Sequence, residues 1–242
     1  PRVRRQRQMC IRDSTNTVWV GDVKYKDISG PDGVPDGVID DYDKTNIGSP
    51  MPKFTFGWTN TFRYKNFDLS VFINGSYGNK VYNYLSMKLT HMNSPWTNQL
   101  NAVNGRAQLV PINPNKVYED GTMWYNDVSN VMVANPGASI PRATINDPND
   151  NDRISDRYIE DGSYIRLKNI SLGYTFPKKT IDKLGLSNLR IYANIQNLLT
   201  ITGYDGYDPE IGASTSSVNV YGLDNGRYPS PTVYSFGLNV SF

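Results

Sequence analysis

Cysteine is almost missing from this chain: one residue in 242, Cys10, so that no disulfide and no thiolate metal site is available downstream of it. Histidine is equally scarce, with His91 alone, and no Ser or Cys motif accompanies it. A loop histidine is the plain reading. No run of 18 apolar residues occurs, which excludes a transmembrane helix but not a membrane-spanning strand of about 9–11 alternating residues. The opening residues 1–14 have no apolar segment of the kind a secretory signal needs. They do hold five Arg and one Asp; removing these from the totals of 25 basic and 23 acidic residues leaves 20 against 22, so the overall +2 misrepresents the rest. We read 1–14 as a non-native end and set it aside from the fold. A basic arm for nucleic acid or lipid is the competing reading.

What the chain does have is aromatic residues, with 17 Tyr, 8 Phe and 4 Trp, together with 20 Gly. They fall into long alternating stretches. In 53–65, Phe54, Phe56, Trp58, Phe62 and Tyr64 alternate with Thr55, Gly57, Thr59, Thr61 and Arg63, and Asn60 is the one break on the apolar face. In 67–77, Phe67, Leu69, Val71, Ile73 and Tyr77 alternate with Asp68, Ser70, Asn74 and Ser76, and Lys65-Asn66 between the two stretches predicts a tight hairpin. A third strand is expected from Tyr164 to Phe176. There Ile165 and Leu167 have one parity and Ile170, Leu172, Tyr174 and Phe176 the other, so a β-bulge at Lys168-Asn169 is needed to keep one apolar face. Further strands are expected over about 188–201 and 232–242, the last alternating Tyr234, Phe236, Leu238, Val240 and Phe242 with small or polar residues.

The connections alternate between short (Lys65-Asn66; Pro177 to Ser187) and long (78–157; 202–231). Soluble domains rarely hold such long excursions, whereas outer-membrane barrels pair short periplasmic turns with long extracellular loops. The final strand, ending on Phe242, resembles the carboxy-terminal strand of a bacterial outer-membrane β-barrel, which implies that Tyr234, Phe236, Leu238, Val240 and Phe242 form the barrel-assembly signal. An edge strand of a soluble sandwich is the alternative.

Several motifs carry a more specific resemblance. Gly21-Asp22-Val23-Lys24-Tyr25-Lys26-Asp27, Asp36-Gly37-Val38-Ile39-Asp40, Ile47-Gly48-Ser49-Pro50 and Pro52-Lys53-Phe54-Thr55-Phe56-Gly57 occur in that order. Ser163-Tyr164-Ile165-Arg166-Leu167-Lys168-Asn169-Ile170, Leu189-Arg190-Ile191-Tyr192, Gln196-Asn197-Leu198 and Gly206-Tyr207-Asp208-Pro209-Glu210 follow. The series, over about 15–242, resembles the late barrel of SusC/RagA-type TonB-linked outer-membrane proteins. The resemblance implies an all-β fold, an antiparallel transmembrane β-barrel segment of about five to six strands with long extracellular loops. About eight strands are needed for closure, so the segment is expected to be the carboxy-terminal part of a larger barrel. It further implies TonB-dependent import of glycan or peptide nutrients across a bacterial outer membrane. The expected partners are a SusD-like surface lipoprotein, the TonB complex acting through an amino-terminal part, the substrate and outer-membrane lipid, with no nucleic acid and no enzymatic chemistry. A plugless porin or adhesin barrel and a soluble calcium-stabilised carbohydrate-binding sandwich are the alternatives.

No cofactor is required by this reading, but residues 32–43 match a calcium loop at Asp32, Asp36, Gly37, Asp40 and Asp43, with acidic oxygens at the spacing that wraps a hard cation. Val34 and Pro35 depart from that pattern, and against the family pattern Pro31–Pro35 reads as an insertion that would make Asp27 and Ser29 the early ligands. A solvated acidic turn is the competing reading. Trp96, Tyr118, Trp124, Tyr125, Tyr204 and Tyr207 lie in the long loops and are expected to face substrate or partner, since sugar C–H faces and proteins both stack on aromatic rings. Asp205, Asp208 and Glu210 have the residue types of a glycosidase pair, but such spacing arises in any acidic loop.

Overall fold

The computed structural model describes residues 18–211 and 221–242. The expectation for residues 1–14, Cys10 included, lies outside the described residues. Among them are ten strands: β1 (Phe54–Tyr64), β2 (Phe67–Tyr77), β3 (Lys80–Asn83), β4 (Leu109–Pro111), β5 (Val131–Val133), β6 (Ile159–Asp161), β7 (Tyr164–Thr175), β8 (Asn188–Thr202), β9 (Leu223–Asp224) and β10 (Val233–Ser241). Two short helices, α1 (Tyr84–Thr90) and α2 (Lys178–Ile181), complete the regular structure apart from single 3-10 turns. The fold is all-β and mostly antiparallel. The described residues fall into two compact units, those within Pro1–Asn46 and Ser86–Ser155 and those within Ile47–Leu85 and Asp156–Phe242.

The second unit is built on a five-stranded sheet of order β1-β2-β7-β8-β10, each strand antiparallel to its neighbours. Consecutive strands pair because their alternations are in register. The rows Tyr64–Phe67–Tyr174–Ile191–Leu238, Phe62–Leu69–Leu172–Ala193–Phe236 and Asn60–Val71–Ile170–Ile195–Tyr234 cross the whole sheet on one side. The opposite side carries rows such as Thr61–Ser70–Ser171–Asn194–Ser235. Lys168 is the extra residue of the expected bulge: Phe72 pairs with Asn169 and Ile73 with Leu167, which returns Leu167 and Ile165 to the apolar side. β8 bends at the same level, where Asn197 adopts a left-handed φ of 53°.

Almost nothing covers the apolar side. Trp58, Phe62, Tyr64, Leu172, Ile191, Leu199 and Leu238 are all exposed, and Phe236 is 84% exposed. The buried apolar residues of the unit, Val81, Tyr158, Ile181 and Tyr204, lie off that face. The five strands run 9–15 residues. At about 3.3 Å per residue and a tilt near 45°, an 11-residue strand rises about 25 Å, the height of a barrel's apolar band. With β1 and β10 at its edges, the sheet does not close into a barrel among the described residues.

Residues 78–157 and those before Pro52, expected as loops, are more organised than that. β3 pairs with β6 antiparallel and with β9 in parallel, so the long segments around 80, 160 and 223 form a second small sheet of the same unit. In the first unit β4 pairs with β5, and the segment at Gly21–Asp22 packs on Ala107, Leu109 and Arg142, the Arg142 amide donating to the Gly21 carbonyl at 2.9 Å. Gly21 has φ 88°, and a Cβ there would sit 3.2 Å from Leu109, which explains a glycine in the position.

Candidate functional site

The polar side of the five-stranded sheet holds a charge cluster centred on Arg166, which pairs with Asn74 of β2 and Thr200 of β8 in register. Its side chain is 3% exposed. Nε donates to Thr200 Oγ1 at 2.8 Å and Nη1 to Glu210 Oε2 at 2.7 Å, while Nη2 donates to Asp208 Oδ1. Lys168, set on this side by the bulge, donates to the same Glu210 oxygen at 2.8 Å. Asp208 also accepts the amides of Glu210 (2.9 Å) and Ser230 (3.0 Å). Burial works to raise the Asp208 pKa, but the Ser230 and Glu210 amides and the Arg166 guanidinium outweigh it and hold the carboxyl below its ordinary range. The arrangement binds the loop after β8 to the polar face. Asp208 and Glu210 are both committed to ion pairs, and the Asp205 amide donates to Glu160 Oε2 at 3.0 Å.

The loop aromatics divide. Trp96 is 92% exposed, and Tyr125 and Tyr207 are exposed as well. Trp124 is half-buried and stands edge-on to Tyr125 with ring centroids 5.7 Å apart. Tyr118 turns inward, its hydroxyl donating to Asp127 at 2.9 Å and accepting from Asn130 at 3.0 Å. Tyr204 corrects the expectation of a ligand-facing ring: it is 5% exposed, donates to Asp224 Oδ2 at 2.5 Å, and covers Gly206 so closely that a Cβ there would meet the ring at 2.3 Å. Burial and the Asp224 carboxylate push its phenol far up, so it stays neutral.

In the acidic loop, Asp43 Oδ1 accepts the amides of Ile28 (2.7 Å) and Ser29 (3.2 Å), and its Oδ2 accepts that of Asp40 (2.9 Å). The Ile28 and Asp40 amides lower the Asp43 pKa against the opposing effect of burial, and the Asp27 side chain lies beside it. Asp27 Oδ2 accepts from Gly37 at 2.7 Å, and its Oδ1 is enclosed without a hydrogen-bond partner. Asp36 lies against Gly30 and caps Val38, Asp40 caps Tyr42, and Asp32 is exposed in the turn at the tip. The structure thus places the Asp27 side chain beside that of Asp43.

Sequence reasoning did not find a third cluster, in the first unit. His91 follows α1, its amide bonded to the Met87 carbonyl at 3.1 Å. Its Nε2 lies 2.9 Å from Asp147 Oδ2 and its Nδ1 3.2 Å from Asp152 Oδ2. Asp147 accepts the Asn151 amide and side chain, each at 2.6 Å, and the same Asn151 side chain donates to Asp22 at 3.2 Å. Asp22 is paired with Arg142 at 2.7 Å. The signal was present in the density of Asn and Asp over 146–152, and for Arg166 in a cation flanked by Ile165 and Leu167 within a strand.

Taken together, these features define an antiparallel sheet with one bare apolar face and one polar face tied down by charge. That fold is shared with solved structures of the RagAB peptide importer in its closed-closed state (TM-score 0.59, 21% identity, 88% of this chain and 20% of that one) and its open-open state (TM-score 0.56, 21% identity, the same coverage). In sequence, the chain is 36% identical over 211 residues to TonB-dependent receptor P3 of Formosa agariphila, covering 85% of this chain and 18% of the relative. It is 33% identical over 231 residues to TonB-dependent receptor P26 of the same organism (92% and 20%), and 29% identical over 209 residues to TonB-dependent receptor SusC of Bacteroides thetaiotaomicron (85% and 17%). No family model matches the chain. The chain is homologous to the TonB-dependent receptors and resembles SusC/RagA-type members along most of its length. It spans about a fifth of the length of the curated relatives it matches.

Proposed function

We propose that this chain forms wall, loops and partner surface of an outer-membrane TonB-dependent importer of glycan or peptide nutrients and performs no chemistry itself. The observation that carries the proposal is the five-stranded sheet whose rows of aromatic and aliphatic residues stand bare on one side, while Arg166, Lys168 and Asn194 occupy the other. A sheet of that area in water would hide its apolar side against a second layer; lipid supplies the missing layer. The polar side then faces the lumen, and the segments holding Trp96, Tyr125 and Tyr207 lie outside the cell, where a SusD-like lipoprotein and the cargo engage them. Force reaches the barrel through the TonB complex. The test is disruption of the complete gene, followed by uptake of labelled glycans and peptides with and without TonB. TonB-dependent loss of one cargo class supports the reading; uptake that survives loss of TonB indicates a plugless porin, and a protein recovered outside the outer-membrane fraction overturns it.

We also infer a structural calcium ion in the acidic loop, centred on Asp27 and Asp43, with Asp36 and Asp40 drawn in only when the ion binds. The enclosed, unpartnered Asp27 oxygen beside the Asp43 carboxylate supports it, because two adjacent carboxylates call for a cation. Asp32, at the exposed tip, is left out of this ligand set.

A further inference from the structure

On the outer-membrane reading given above, on which this inference rests, we propose that the apolar side of the sheet binds one anionic phospholipid at its periplasmic end. An acyl chain lies in a furrow over Ala193, and the phosphate is held by Lys65 and the lysines of the turn between β7 and β8.

The furrow follows from one small side chain. In the row Phe62–Leu69–Leu172–Ala193–Phe236 every residue but Ala193 is large, and so are its same-face neighbours along β8, Ile191 and Ile195. This leaves a furrow of about 540 Å³ with Ala193 on its floor and Leu172, Tyr174, Ile191, Phe236 and Leu238 on its rim. Those aliphatic and aromatic walls stand open on the face, and they suit a hydrocarbon chain.

Positive charge lies at one end of the furrow. Leu172, paired with Ala193, stands four residues before Phe176, about 13 Å at 3.3 Å per residue. Past Phe176 the 177–187 turn carries Lys178, Lys179 and Lys183 against one acid, Asp182. The Lys65-Asn66 turn adjoins it: the Thr175 amide donates to the Asn66 carbonyl at 2.9 Å, and Lys65, Asn66, Phe176 and Pro177 line one cleft. Lys65 Nζ stands 5.3 Å from the centre of the Tyr64 ring, which belongs to the apolar side, so this ammonium lies at the rim of that face. Among the described residues none of these four lysines forms an ion pair, whereas Lys80, Lys116 and Lys168 each meet a carboxylate. The turn is anchored by Ile181, 2% exposed, whose carbonyl accepts the Leu186 amide at 3.3 Å. At the same level the rings of Phe67, Tyr174 and Phe176 contact one another, forming the aromatic band of an interface. Unpaired cations beneath an apolar furrow complement an anionic headgroup, and a zwitterionic one leaves them unneutralised.

The test uses the complete protein in detergent, stripped of lipid and titrated with phosphatidylglycerol or phosphatidylcholine of identical acyl chains, with bound lipid counted by native mass spectrometry. One phosphatidylglycerol per protein should be retained in preference to phosphatidylcholine. Lys178→Gln with Lys179→Gln should cut that preference by about fivefold for each lysine removed. Ala193→Phe, which fills the furrow, should weaken binding of both lipids without lowering the melting temperature, and inorganic phosphate should not displace the lipid. Equal retention of the two lipids, or a preference untouched by the lysine substitutions, overturns the proposal and leaves the importer reading standing. Displacement by phosphate makes the turn an anion site without a chain site and overturns it too. Recovery of the protein outside the outer-membrane fraction overturns both.

Discussion

Arg190 of β8 reaches Asp68 of β2 across the intervening β7, its Nη2 bonding Oδ2 at 2.6 Å and its Nε bonding Oδ1 at 3.2 Å. The bridge passes over Gly173, where an added Cβ would lie 2.3 Å from Nη2 and 2.6 Å from Asp68 Oδ1. The glycine is therefore what lets two non-adjacent strands be joined on the polar side. Gly173→Ala should displace the pair and cost roughly 1–2 kcal/mol. In a double-mutant cycle with Arg190→Met, measured by thermal unfolding of the complete protein in detergent, the two losses should be strongly non-additive. Simple additivity would show that the glycine serves something else.

Arg166 is the partner on which Asp208 and Glu210 depend. Arg166→Met leaves Asp208 buried without its cation, a change that costs about 3–5 kcal/mol when a buried pair is broken from one side. The loop 203–211 should detach from the polar face while the strands persist. Hydrogen exchange should therefore quicken at Glu210 and Ser230, whose amides bond Asp208, with little change along β2. Equal exchange at those two amides would sink the idea.

The same loop should loosen in acid. Asp208 has a folded pKa below its unfolded value, so it binds a proton less readily when folded. Its contribution is fully present above the unfolded aspartate pKa of about 3.9 and is lost as the pH falls through the lower folded value. Protease sensitivity of the 203–211 segment should rise on that acid limb, and Asp208→Asn should flatten the dependence. A wild-type profile unchanged by the substitution contradicts this account.

How much of this was legible beforehand depends on how far apart in the chain the cause lies. Strand positions and the bulge at Lys168 were readable because alternation is a local property: an odd residue between Leu167 and Ile170 must be absorbed or the face flips. Arg166 was visible as a charged residue in a strand, but its partners lie 42 and 44 residues away, and nothing local names them. Tyr204 was misread because an aromatic in a loop looks alike whether it faces outward or folds back; the Asp224 that draws it in is 20 residues on. His91 and Asp147, 56 residues apart, meet only once both segments have folded. Neighbours within one turn, such as Asp40 and Asp43, are suggested by spacing, whereas the carboxylate found beside Asp43 is Asp27, a relocation from Asp32 that spacing within 32–43 does not name.

That relocation makes the calcium proposal testable residue by residue. Calcium should raise the melting temperature of the complete protein, and Asp36→Ala or Asp27→Asn should abolish the rise, whereas Asp32→Asn should leave it intact. Loss of the effect in Asp32→Asn alone would restore the unmodified spacing and discard the insertion reading. Asp43 serves poorly as a probe, because it also caps Ile28 and Asp40 and its removal disturbs the turn with or without an ion.

The last strand supplies the final prediction. β10 pairs with β8 from Val233 to Ser241, so its ladder ends before Phe242, whose carbonyl accepts from Ser187 Oγ at 3.3 Å and whose side chain is left 93% exposed. Removing it should thus cost the folded sheet little. If the alternating Tyr234, Phe236, Leu238, Val240 and Phe242 act as a signal read by the outer-membrane assembly machinery, deletion of Phe242 or Phe242→Asp should reduce surface abundance several-fold while leaving the melting temperature of whatever protein is inserted unchanged. Surface labelling of cells producing each variant separates the two quantities. Unchanged abundance would show that the residue carries no assembly information, and a lowered melting temperature at normal abundance would make its role one of packing.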